Sequence, residues 1–244
     1  SERCVRNFLH TVVIIDDQAF RTNNSRSPEA LDTPGLLMQG PAHQNDAPVV
    51  EQQEAVVRHG VGMPGLPHMD ENKTASPEPF DLDAEEVVRL FARTGVVCAV
   101  LEPQDSSRSS ELLTDSMPAA KRADALILDW RIHDTDGDHA LSLIKGVLTD
   151  DGSHNGRLRL ILIYTAEPDL NTVYTRLHDA LAKDKIVITP DRENLVLSNA
   201  ALRITVLAKP TTLLRAEWQK HAVNLAGLPM RLITEFSRLT SGLV

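Results

Sequence analysis

The chain has 244 residues and a formal net charge of −9; hydrophobic residues make up 42% and aromatics only 4%. That length suits one large domain or two small ones, with a core built mainly from Val, Ile, Leu and Ala. The acidic balance, with no basic stripe, argues against direct nucleic-acid binding, because phosphate contacts need clustered Lys and Arg. No apolar run approaches the ~20 residues of a membrane span, and no signal-peptide pattern is read, so a cytoplasmic location is the default expectation.

Residues 11–15 (TVVII) form a short apolar, β-branched run that ends in Asp16 and Asp17. Such a run suits a strand buried on both faces, as in a parallel sheet. Similar runs at 96–101, 125–128, 158–164 and 203–208 bring the number of predicted strands to five. Residues 21–82 break the rhythm, holding eight of the fourteen prolines. This composition suits a long insertion with little core of its own, read either as a surface excursion or as a partner-binding lid; 49–59 could form an amphipathic helix within it. Residues 83–94 predict a helix, with Asp83 and Glu86 in a capping arrangement and Gly95 as the stop. Cys98 reads as a small buried hydrophobe, and with Cys4 as the only other cysteine there is neither a disulfide framework nor a metal site.

Further helices are predicted at 109–122, 138–148 and about 169–183, and another is expected to begin after Pro210. The pattern at 185–198 suits a small extra hairpin with a five-residue connection. Residues 227–244 are expected to form a C-terminal helix or a linker towards an output region. Domain organisation is thus 1–226, with its insertion and hairpin, followed by 227–244. Strands alternating with helices predict a doubly wound α/β sheet.

Four of the five predicted strands end in residues chemically unlike the run before them: Asp16-Asp17, Asp129, Thr165-Ala166 and Lys209-Pro210. Taken singly, the acids read as helix caps, the threonine as an ordinary strand end and the lysine as a surface residue. Taken together they converge, because ligands of open α/β sheets bind outside the carboxyl ends of the strands. Carboxylates in such a crevice repel one another, by roughly 4 kcal/mol at 4 Å and an effective dielectric of 20. A cation relieves that repulsion, and an all-oxygen site suits Mg²⁺. A carboxylate held there can attack phosphorus, and a lysine and a hydroxyl can meet the oxygens of the transferred group.

The stretches IIDD (14–17), LILDW with Asp136-Gly137 seven residues after Asp129, IYTAE (163–167) and LAKP (207–210) resemble, in order, the receiver domain of response regulators. The resemblance covers residues 11–20 and about 83–226. It implies a flavodoxin-like fold with strand order 2-1-3-4-5, and a phosphoryl group received from a histidine kinase or phosphotransfer protein to control a downstream effector; a homodimer is left open. By the same resemblance Asp129 would be the phosphoacceptor. Asp17 would bind Mg²⁺ directly, Asp16 mainly through water, and Arg131 through its backbone carbonyl. Thr165 would be the switch hydroxyl with Ala166 leaving it room, and Lys209 would contact the phosphoryl oxygens, with a cis bond to Pro210.

Departures from the family lie in the sixty-residue insertion, in the extra segment 185–198, in Val206 where many receivers place Tyr or Phe, and in His133 where proline is common. They leave open an alternative, a phosphate-independent pseudo-receiver acting as an interaction scaffold. A phosphohydrolase is a third reading, but it would want a carboxylate at Arg131. The cluster His133, Asp134, Asp136, Asp138 and His139 fails as a calcium loop, because Ile132 and Leu143 fall where the first and last oxygen ligands belong; it reads as a solvated loop and helix start.

Overall fold

A computed structural model describes residues 8–20, 82–103, 109–153, 157–211 and 214–241. All belong to one of the two compact units of the chain, 1–22 with 77–244. The other unit, and with it the proline-rich segment and its expected helix, lies outside the described residues.

Strands β1 (Thr11–Ile15), β2 (Ala19–Phe20) and β3 (Leu82–Asp83) come first, then helix α1 (Ala84–Arg93) and β4 (Val97–Leu101). Helix α2 (Ser109–Arg122), β5 (Ala125–Leu128), α3 (Asp138–Ser153), β6 (Arg159–Thr165) and α4 (Leu170–Lys183) follow. The hairpin strands β7 (Thr189–Asp191) and β8 (Val196–Ser198), β9 (Leu202–Ala208) and α5 (Leu228–Ser241) complete the fold. The main sheet runs β4-β1-β5-β6-β9-β8-β7. Its first five strands are parallel and β8 and β7 add antiparallel to the β9 edge. This is a flavodoxin-like α/β fold.

Side-chain alternation along the central strands divides the core in two. Val13, Ile15, Leu126, Leu128, Ile161 and Ile163 face one way, towards Ala120, Leu143, Ile144 and Leu177 of α2, α3 and α4. Val12, Ile14, Ile127, Leu160 and Leu162 face the other, towards Val87 and Phe91 of α1 and Leu228, Leu232 and Phe236 of α5. Helix α1 starts where the sequence predicts, with the Asp83 carboxylate accepting the Glu86 N–H at 2.9 Å, and ends at Gly95 in the left-handed region (φ 81°).

Three features depart from the sequence-based expectations. First, β2 and β3 form a parallel pair that joins the two ends of the segment 21–81. Second, among the described residues no α-helix begins directly after Pro210; a 3₁₀ helix at Ala216–His221 precedes α5 instead. The reason lies in the sheet: Val223 N–H bonds Ala208 O at 3.0 Å and Val223 O accepts from Tyr164 Oη at 2.8 Å, so the chain returns to the strand ends before α5 can begin. Third, the hairpin pairs only 189–191 with 196–198, leaving a four-residue turn in which Leu195 takes φ 54°. Ile186 and Ile188, read as strand residues, instead pack their side chains against the core from a strap before it.

Helix α5 is tied to β9 by charge as well as by burial. Arg203 falls on the α5 face and meets the fully buried Glu235 at 2.6 Å, and Arg231 and Arg238 complete the carboxylate's partners at 3.1 and 2.7 Å. On the opposite face, the buried Arg159 pairs with Asp151 and donates to carbonyls at the end of α2, a group of acceptors that a helix terminus leaves open.

Gly137 carries the tightest constraint in this framework. Its φ is 89°, and a Cβ there would overlap the buried indole of Trp130. We expect Gly137→Ala to lower unfolding free energy by about 2–4 kcal/mol, combining left-handed strain with overpacking. Urea denaturation followed by Trp fluorescence measures it, and an unchanged midpoint would show that Trp130 has room to rotate away.

Candidate functional site

Parallel register builds the site. Ile15 lies beside Leu128, so the next residues, Asp16 and Asp129, leave the sheet side by side; the Asp129 N–H bonds Ile15 O at 3.0 Å. Thr165 lies beside Ala208, and Lys209 N–H bonds Thr165 O at 2.7 Å, which sets the lysine at the same edge. Apolar strand residues hold these backbones in the sheet, and the side chains that follow them have nowhere to go but the crevice above.

There the Lys209 ammonium donates to Asp16 Oδ2 at 2.9 Å and to Asp129 Oδ2 at 2.8 Å, with all three side chains buried. Asp17 is half-buried, and carboxylate oxygens of Asp16, Asp17 and Asp129 lie within 4.8 Å of one another. Backbone N–H groups hold the remaining oxygens: Gln18 to Asp16 Oδ1 (2.9 Å), Arg131 to Asp129 Oδ1 (3.2 Å) and His133 to Asp17 Oδ2 (2.7 Å). Thr165 is buried, with its Oγ1 accepting the Glu167 N–H at 3.2 Å, and Ala166 is half-buried beside it. Lys209 is followed by Pro210 in trans, the intrinsically preferred isomer, in place of the expected cis bond.

The chain matches the family model described as the response receiver domain over residues 8–213, most of its length and every strand of the sheet. The chain belongs to the response receiver domain family. Comparison with curated proteins and with solved structures gave no match. Receiver domains are signalling domains of two-component systems rather than classical enzymes, and they accept phosphoryl groups and generally bind Mg²⁺. No helix among the described residues is long and apolar enough to cross a membrane.

The donors of this receiver suit such a cation. Three carboxylates within reach of one another, aided only by one ammonium and single N–H groups, form an oxygen-rich site whose negative charge exceeds its positive. Asp16 is displaced from the ordinary carboxylate range. Burial raises its carboxyl to about 6, opposed by the Lys209 ammonium and reinforced by Asp129. Lys209 is raised as well: burial opposes its charge, but the attraction of Asp129 and Asp16 outweighs that and lifts it above the ordinary lysine range. One ammonium has two carboxylates, whereas each carboxylate has a share in one ammonium.

Sequence reasoning missed two parts of this arrangement. Glu167 forms an ion pair with Arg131 across the mouth of the site, joining the loops after β5 and β6. Its position two residues after Thr165 was the available signal. The His133 N–H is a backbone donor and leaves no mark in side-chain chemistry. The histidine–aspartate cluster divides: His133 and His139 bond the carbonyls of Pro103 and Ile132, and Arg176 pairs with Asp136 and Asp138 while lying 5.7 Å from the Trp130 ring. Among the described residues the only grouping fit for a metal is the three-aspartate one.

The Asp16 shift fixes a pH dependence. A folded-state pKa near 6 lies above the unfolded value of about 3.9. The folded state therefore binds the proton more tightly, and this stabilising contribution, complete below about pH 4, is lost as pH rises through about 6. In metal-free buffer, urea titrations should show the unsubstituted protein losing stability relative to Asp16→Asn across that interval. A difference that stays constant through it would place the Asp16 titration elsewhere.

Proposed function

We propose that this domain receives a phosphoryl group on Asp129, in a Mg²⁺-dependent transfer from a histidine kinase or phosphotransfer protein, and that the phosphorylated state controls a downstream effector. The observation supporting this is the bridging of Asp129 and Asp16 by one buried ammonium, with a third carboxylate and the Thr165 hydroxyl at the same edge of the sheet.

In this reading an Asp129 carboxylate oxygen forms the new bond to phosphorus while the bond from phosphorus to the donor atom breaks and its electron pair leaves with the donor. Both partners are anionic, so the encounter is repulsive until positive charge is in place. Asp16, Asp17, Asp129 and the Arg131 carbonyl would hold Mg²⁺, which when bound supplies charge neutralisation at the phosphoryl oxygens. Lys209, already within 2.8 Å of Asp129, would turn to the phosphoryl group, and Thr165 would donate its hydroxyl to another of its oxygens. Ala166, small and half-buried, leaves that hydroxyl room to move.

A phosphate-independent scaffold remains the second reading. It draws on Val206, a fully buried aliphatic residue where many receivers carry a mobile aromatic, and on the hairpin covering β9.

Labelling with acetyl phosphate separates the two. Incorporation should require Mg²⁺ and vanish in Asp129→Asn, which stays folded. Lys209→Ala and Thr165→Ala should retain part of the label. Equal labelling of Asp129→Asn would remove Asp129 from its role. Absence of labelling, together with no binding of a beryllofluoride mimic, would favour the scaffold.

A further inference from the structure

We infer that His133 is a positioning residue for the metal site: its left-handed backbone aims an N–H at Asp17 and sets that carboxylate for the cation. The inference rests on the Mg²⁺ reading above and concerns what this chain does differently at a position where the family often has proline.

The geometry is specific. His133 has φ 53° and ψ 42°, in the left-handed region that non-glycine residues enter only against steric strain. Strain of this kind persists only where the surroundings over-determine it. Here they do. On one side, Trp130 and Ile132 are buried in the core and fix the chain leading in. On the other, the ring Nε2 lies 3.1 Å from Pro103 O, tying the residue to the loop after β4. His139 packs edge-on against the ring at 5.9 Å, with its own Nδ1 3.2 Å from Ile132 O. Carbonyls only accept, so both ring nitrogens carry hydrogen in these contacts.

The result of that conformation is one hydrogen bond, from His133 N–H to Asp17 Oδ2 at 2.7 Å. Two residues earlier, the Arg131 N–H bonds Asp129 Oδ1 at 3.2 Å. Two carboxylates from different strands are thus oriented by N–H groups two residues apart. An N–H occupies one lone pair of Asp17 Oδ2 and leaves the other oxygen free to face a cation. Holding a ligand carboxylate in this way is the sort of support whose loss costs 10–100-fold in metal affinity. Proline has no N–H and cannot adopt positive φ, so it could not do this.

The test compares H133P with H133G in the whole chain, reading Mg²⁺ affinity from Trp fluorescence and thermal shift, and stability without metal. Glycine keeps the N–H and accepts φ 53° freely; H133G should bind Mg²⁺ close to the unsubstituted affinity. H133P should bind at least about tenfold more weakly. Should H133P not fold, H133V carries the same test, because a β-branched residue is an outlier at positive φ. A purely structural His133 would lower metal-free stability and leave Mg²⁺ affinity untouched in every folded variant, which would overturn the inference. No Mg²⁺ binding by the unsubstituted protein would instead sink the metal reading, and this inference with it.

Discussion

The Lys209 ammonium shared between Asp16 and Asp129 is the contact on which the rest of this structure turns. It joins the ends of three strands, β1, β5 and β9, that are separated in the chain and never otherwise meet at a single point. Without it, buried carboxylates would face each other with only backbone N–H groups between them, an arrangement that burial and mutual repulsion both oppose. The lysine is held in turn by its own N–H to Thr165 O and by the register that sets Ala208 beside Thr165. Site and sheet are thus one construction. A slip of one residue along β9 would invert its faces and withdraw the ammonium.

The sequence was legible where it changed character abruptly. Four apolar runs broke into Asp, Thr or Lys, and each break falls at or beside the end of a parallel strand. The alternation that buries Val12 and Val13 on opposite faces needs no knowledge of partners, because a strand between two layers is apolar throughout. What escaped was non-local or carried by the backbone. The β2–β3 pair has two residues per strand and depends on ends some sixty positions apart being brought together. The C-terminal helix lies where its apolar spacing put it, whereas the helix expected directly after Pro210 is replaced by a 3₁₀ turn because Tyr164, Ala208 and Val223 satisfy one another there. The N–H donors of residues 131 and 133 depend on φ and ψ, which side-chain pattern does not report.

The strand ends that carry the site also hold the segment leading to α5. Tyr164 precedes Thr165 and points to the other face of the sheet, where its hydroxyl binds Val223 O and its ring lies 5.9 Å from the Lys209 ammonium. Burial pushes the phenol up to about 12, so the hydroxyl keeps its proton and donates. Val223 N–H closes the link on Ala208 O. The segment leading to α5 therefore hangs from the two strands that carry Thr165 and Lys209. Val206 adds nothing to that connection, being packed among aliphatic side chains with no polar atom of its own to reach a partner.

The sheet edge on the β9 side is closed to pairing with another chain. On the β9 side, β8 takes up the open hydrogen-bonding positions, and β7 beyond it is three exposed residues with Pro190 at the centre. A strand so short, carrying a residue that cannot donate, is poorly suited to pairing with another chain. The hairpin therefore makes this edge of the sheet a poor template for strand addition. The segment entering α5 is joined to β6 and β9 by hydrogen bonds at Val223, and α5 itself to β9 by Arg203 and Glu235. Its inner face is fixed in the core, and its outer face includes the exposed Met230. Rigid attachment on one side and exposure on the other make α5 part of the packed unit that carries the site, and packed elements shift as units rather than deform.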